Sequence, residues 1–307
     1  MTCRLSFCML FLALAGQAHA QPPVPPGVEP GESYHRMFVT LEPLVVGTLE
    51  FVPPFLPVFG GLDAADWAVT FYASQAGLLD PFLDGGTWNN ADIYYQAVLS
   101  TQTMRVVDLL DIQGAIYNTN DDLIATGAAD LWDGSIANPV GYDEFGVAVA
   151  TGTKVWTGSD SLGNRSNFSC EDWNNPSGAG NIGFATESDT SWIGGPTQSC
   201  SLSARLYGMS LAITLPDSAD FNGDNVVDGL DFLTLQRGLG TVGPSATHAN
   251  GDANGDDLIN DADLAVWEAQ YGSAPPLSAV SAAVPEPTTS ALALAALCLV
   301  MGRRRGI

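Results

Sequence analysis

Two segments, Asp220 to Asp231 and Asp252 to Asp263, repeat one another at a spacing of 32 residues, and nothing else in the chain restricts its folding as tightly. Oxygen-bearing side chains recur at matched positions. The first segment has Asp220, Asn222, Asp224, Asp228 and Asp231 at positions 1, 3, 5, 9 and 12; the second has Asp252, Asn254, Asp256, Asn260 and Asp263. Nine aspartates fall between Asp220 and Asp263, a density of like charge that is costly unless a cation neutralises it. Calcium takes six to eight hard oxygen ligands, and a loop of this length wraps it with those side chains and the main-chain carbonyl of position 7. That carbonyl belongs to Val226 in loop one and Leu258 in loop two. Two calcium ions are therefore expected. Position 8, Val227 and Ile259, is expected to point a β-branched side chain inward and to pair the loops. Position 6 carries Asn225 and Asp257 where glycine is usual, and these residue types tolerate the left-handed backbone such a loop needs.

Aspartate at position 12 and two such loops give residues 217–272 a resemblance to type I dockerin modules. The resemblance implies helices over Leu230 to Leu239 and Ala262 to Tyr271, and no helix before loop one, where Pro216 stands. Apolar residues recur in step, Phe232 with Leu264 and Leu235 with Trp267, as two packed helices related by a pseudo-twofold require. It also implies a cohesin-like surface protein as partner, touched through positions 10 and 11, here Gly229, Leu230, Asp261 and Ala262. The hydroxyl pairs usual at those positions are absent, so partner recognition in its familiar form is in question.

Both ends read as export signals. Arg4, the apolar run Leu5 to Ala15 and Ala18-His19-Ala20 have the order of a secretory signal cut after Ala20. Residues 21–33 are a proline-rich linker. At the other end, after a linker over 273–283, Pro285-Glu286-Pro287, the apolar run Ala291 to Met301 and Arg303 to Arg305 make residues 284–307 resemble the PEP-CTERM sorting tail. That implies transient membrane anchoring and an exosortase-type processing enzyme; an ordinary C-terminal membrane anchor is the alternative, although the run is short for a full span. An exported chain meets an oxidising compartment, so Cys170 and Cys200, the two cysteines outside the end segments, are expected to form a disulfide. The formal charge of −24 repels phosphate backbones and argues against nucleic acid as a partner.

Residues 34–215 hold the bulk of the apolar sequence. Strands are expected at Met37 to Thr40, Met104 to Val107, Tyr207 to Leu211 and Ala212 to Thr214, and a helix at Asp63 to Gly77. Thr157 to Gln198, crowded with Gly, Asn, Asp and Ser, is expected to be mostly loop. Gly60-Gly61-Leu62-Asp63-Ala64-Ala65-Asp66, Ala129 to Gly134, Val155 to Gly158, Cys170 to Trp173 and Arg205-Leu206-Tyr207 come in an order similar to the endostatin-like branch of the C-type-lectin-like fold. The fold class implied is α+β: a lectin-like domain followed by a small all-α calcium module. That family's long bridge would end at positions 67 and 208, here Trp67 and Gly208, so Trp67 is expected to fill the space over Gly208. Glu171, Asp172, Asn174 and Asn175 beside Trp173 read either as a bridge-adjacent structural loop or as a glycan or calcium site. Trp132, Trp156, Trp173 and Trp192 read as core or as a binding platform.

Catalysis finds little support. Outside the signal the histidines are His35 and His248, both in linker-like stretches, which leaves no material for a histidine triad or a histidine-rich zinc site. Phosphate-loop and dinucleotide motifs are absent. Two functions stay open: an exported, non-catalytic, calcium-binding protein of the envelope or matrix, with a glycan or protein ligand, and a dockerin-tethered glycoside hydrolase with two opposed carboxylates.

Overall fold

The computed structural model describes residues 23–46, 61–78 and 94–273. The segments read above as a secretory signal cut after Ala20 and as a sorting tail lie outside these residues. No helix among the described residues is long and apolar enough to cross a membrane.

The first part is α+β. Strand β1 (Ser33–Val39) is central in a mixed sheet, flanked antiparallel by β10 (Tyr207–Ser210) and parallel by β4 (Ala115–Asn118). Outward from these lie β3 (Tyr95–Ala97) and β5 (Leu123–Ala125), and β11 (Ile213–Thr214) pairs the start of β1. A strand covered on both faces reads as a continuous buried run rather than an alternation, and β1 is buried from Tyr34 to Val39. Successive side chains enter opposite half-cores. Phe38 meets the half beneath helix α1 (Leu62–Gln75), with Ala65, Val69 and Tyr95. Met37 and Val39 meet the other, with Ile116, Trp192 and Met209. A three-stranded sheet, β6 (Lys154–Trp156), β7 (Ala179–Phe184) and β8 (Thr197–Ser199), lies beside them, with a small pair β2 (Leu44–Val45) and β9 (Ser203–Ala204). Helix α1 ends where expected: Gly77 takes φ +71 just past its C-cap, a conformation that favours glycine.

Several expectations need correction. Met104 to Val107 is no strand; Val106–Leu109 is a single helical turn, since Val106 turns into the core while Met104 stays exposed. The stretch Thr157 to Gln198 is mostly loop, as expected, but also contains β7, where small residues let the strand pass under Trp156 and Trp192: a Cβ on Gly180 would sit 2.9 Å from Trp156. Gly208 is covered by Phe38 and Val69, whose atoms come nearest to its missing Cβ, while Trp67 is half-buried and stacks on Phe71. Trp67 lies two positions before Val69 in the helix, which turns it toward the opposite side of α1. Trp156, Trp173 and Trp192 are buried core, and Trp132 stacks on Trp192 at 6.1 Å. His35 is no linker residue. It is buried in β1, accepts from the Gln113 N–H at Nε2 and therefore donates from Nδ1 to the Ser210 carbonyl. Burial lowers its pKa. Residues 23–32, read above as a linker, are packed: Val24 and Val28 lie against Tyr34, Tyr117, Ile213 and Leu215.

Cys170 and Cys200 are bridged. The backbone beside the bridge is unusual. Cys170, Glu171, Asp172 and Trp173 all have positive φ, from +52 to +65, and form one left-handed helical turn without glycine. Trp173 anchors it, donating from Nε1 to the Ser100 carbonyl at 3.0 Å, and Asp172 accepts from the Gln102 N–H at 2.5 Å.

Candidate metal centre

After β11 the chain passes through Leu215 and Pro216 into the two acidic loops, each followed by a helix: α2 (Gly229–Gly238) and α3 (Asp261–Gln270). The helices start where the loops end because the loops cap them. Asp228 accepts from the Leu230 N–H and Asn260 from the Ala262 N–H, and each forms a capping box with the aspartate at position 12. A small core holds the module together: Phe221, Val227 and Leu235, with Leu264 and Trp267 against them. Phe232 and Trp267 are 4.8 Å apart across the helices, and Trp267 donates from Nε1 to the Asp228 carbonyl.

The two loops share most of their hydrogen bonds. At position 1, Asp220 accepts from the N–H groups of Gly223, Asp224 and Asn225, and Asp252 from those of Gly255 and Asp257. At position 12, Asp231 accepts from Phe221 and Asp228 at 2.9 Å each, and Asp263 from Ala253 and Asn260 at 2.7 Å each. Asp224 and Asp256 accept from the N–H of position 7. Position 6 has φ +66 at Asn225 and +60 at Asp257, the left-handed backbone expected of those residues. All four aspartates at positions 1 and 12 are buried. Val227 and Ile259 are buried as expected, but their backbones do not pair with each other. Val227 pairs with Gly272 and Ser273 after α3, and Ile259 with Gly240 and Thr241 after α2. The pseudo-twofold is thus made by each loop holding the end of the other loop's helix. Gly229, Leu230, Asp261 and Ala262 open the helices and are exposed.

The donor set fits a hard divalent cation: carboxylate, amide and carbonyl oxygens, with no sulfur or imidazole among them. Among the described residues the ion pairs are Arg36–Asp121 and Arg105–Asp108, so no basic side chain neutralises a loop carboxylate. Burial pushes the Asp252 pKa up, helped by the charges of Asp263 and Asp256 and opposed by the N–H groups of Gly255 and Asp257. Among the described residues no three His, Cys, Asp or Glu groups are drawn together tightly enough to hold a metal unaided. Any ligand set would have to draw on the Asn amides and the position 7 carbonyls as well.

Residues 218–268 match the family model of the dockerin type I domain. The dockerin match supports calcium as the cation and an extracellular or cell-surface setting. No curated protein matches the chain.

Other polar groups were not foreseen from the sequence. Arg36, buried in β1, pairs with Asp121 at 2.8 Å and donates to the carbonyls of Asn118 and Pro23. Glu144 is buried, accepts from the Leu41 N–H at 2.8 Å, and burial holds its pKa up at about 7. Asp66 accepts from the Ala97 N–H at 2.7 Å, and burial raises it to about 6. Only tertiary packing distinguishes these acids from the 34 that the chain contains.

Proposed function

We propose that the chain is an exported calcium-dependent docking protein of the cell envelope or matrix, whose dockerin module binds two calcium ions and attaches a non-catalytic domain to a cohesin-like surface partner. One observation carries the reading: the same buried pair of aspartates, with matching backbone bonds, recurs at positions 1 and 12 of both loops. Loop one would hold its ion with Asp220, Asn222, Asp224, Asp228, Asp231 and the Val226 carbonyl. Loop two would use Asp252, Asn254, Asp256, Asn260, Asp263 and the Leu258 carbonyl. Calcium would supply the charge that lets these acids lie together and would fix the loops, and through the capping boxes the helices, in one arrangement. Residues Gly229, Leu230, Asp261 and Ala262 would meet the partner. Residues 34–215 are read as a lectin-like domain with a glycan or protein ligand, and the ends as a signal cut after Ala20 and a PEP-CTERM tail processed by an exosortase.

The alternative, a dockerin-tethered glycoside hydrolase, asks for two opposed carboxylates over a cleft. Among the described residues Asp66 and Glu144 are the carboxyls with strongly raised pKa, and each is tied to a backbone N–H of its own fold, which favours a structural role. Calorimetric titration of the full chain with calcium, with helix content followed in parallel, tests the main reading. Two sites per chain are expected; absence of binding at millimolar calcium would overturn it.

A further inference from the structure

Loop two is not free. The packed lead lies directly on it, and from this contact we infer that the lead is a strap that fastens the docking module to the first domain and makes calcium binding in loop two depend on that fastening. The inference rests on the reading of loop two as a calcium site.

The strap begins on the first domain. Gly31 N–H donates to the Leu215 carbonyl, and Leu215 N–H donates back to Glu32. It ends on the module. Glu29 accepts from the His248 N–H at 2.5 Å, and the His248 ring packs at a tilt against Phe221 and meets the Ser218 carbonyl at 3.0 Å. Between these points Pro30-Gly31-Glu32 lies backbone to backbone against Asn254 and Gly255, positions 3 and 4 of loop two. A Cβ on Gly31 would overlap the Asn254 carbonyl group. A Cβ on Gly255 would stand 2.9 Å from both the Glu32 nitrogen and the Gly31 carbonyl carbon. Two glycines with positive φ, +82 and +69, allow this approach.

The pseudo-twofold supplies an internal comparison. Gly223 is the loop-one counterpart of Gly255 and has φ +71, yet a Cβ there would meet nothing within 4 Å. The module is therefore asymmetric in its surroundings although its loops are alike. Asn254 is a proposed ligand, and its backbone is held by the strap. Whatever holds that backbone in its ligating shape strengthens calcium binding there, and by reciprocity calcium in loop two strengthens the strap. Loop one, open at the equivalent place, lacks this coupling.

The test compares Gly31→Ala with Gly27→Ala in the full chain. Gly27 lies in the same lead at φ +89 with nothing within 4 Å of its missing Cβ, so it carries the same backbone penalty without the contact. Calcium titration by calorimetry gives the two affinities, and small-angle scattering with and without calcium gives the overall dimensions. Gly31→Ala is expected to weaken one of the two sites about tenfold and to enlarge the particle in saturating calcium. Gly27→Ala is expected to match the parent in both. Equal affinities and dimensions in the parent and Gly31→Ala would overturn the strap while leaving the calcium sites intact. A parent that binds no calcium would instead overturn the calcium reading itself.

Discussion

Glycine at position 171 should make this protein more stable, although Glu171 is exposed and no glycine is present in its turn. Glu171 sits at φ +52, ψ 62, inside the left-handed turn Cys170–Trp173. A side chain in that conformation costs about 1–2 kcal/mol, because its Cβ crowds the following carbonyl. Glycine removes that cost but adds freedom to the unfolded chain, worth about 0.4–1 kcal/mol. The Glu171→Gly variant should therefore gain about 0.5–1 kcal/mol, or about 1–4 °C in melting temperature for a domain of this size. Glu171→Val should lose about 1 kcal/mol or more, since a β-branched residue fits positive φ worst. The four strained residues are held by the Cys170–Cys200 bridge, whose separation of 30 residues contributes about 4 kcal/mol in the chain-entropy model, and by the buried Trp173 bond to Ser100. Urea unfolding followed by tryptophan fluorescence, under oxidising conditions, measures both variants. A glycine variant less stable than the parent, or equal effects of glycine and valine, would refute the left-handed turn.

Further outcomes follow from the buried acids and the small core. Burial holds Glu144 at about 7, above its ordinary value of 4.5, so between those values the folded state keeps a proton that the unfolded state has lost. Its contribution is intact below about pH 4.5 and disappears as pH rises toward 7, a loss of about 2–3 kcal/mol; Glu144→Gln should flatten the denaturation midpoint against pH over that window. Asp231→Ala should halve the calcium stoichiometry. It should also destabilise the module in chelator, by about 2–4 kcal/mol, because the buried N–H groups of Phe221 and Asp228 lose their acceptor; thermal melts in chelator measure this. Leu235→Ala removes a buried side chain from the module's core and should cost about 2–4 kcal/mol in the same melts.

What the sequence revealed and what it hid follow from the range of the interactions involved. The two acidic loops are local: the proposed ligands at positions 1 and 12 are eleven residues apart, and the capping of α2 and α3 lies within three residues of its donor. A one-dimensional pattern therefore carries nearly all of that geometry, including the left-handed Asn225 and Asp257. The one error inside the module, the pairing of position 8, concerns a long-range contact between a loop and the far helix end. In the first domain the decisive contacts are almost all long-range. Arg36 looks like a surface charge until Asp121 and the carbonyl of Asn118 are brought to it from β4 and the turn beyond. His35 looks like a linker residue until Ser210 and Gln113 close on its two nitrogens.

The strap is the hardest case, because its sequence, Glu29-Pro30-Gly31-Glu32, is that of any exposed turn. Turn chemistry allows a close backbone approach but does not name what approaches. The partner of Gly31 lies more than two hundred residues away, in a loop whose own pattern is accounted for by the proposed calcium site. Neither segment needs the other to account for its composition, so no sequence signal records the contact. The glycine geometry, crowded at Gly31 and Gly255 and open at Gly27 and Gly223, and the bonds of Gly31 to Leu215 and of Glu29 to His248 separate a strap from a linker.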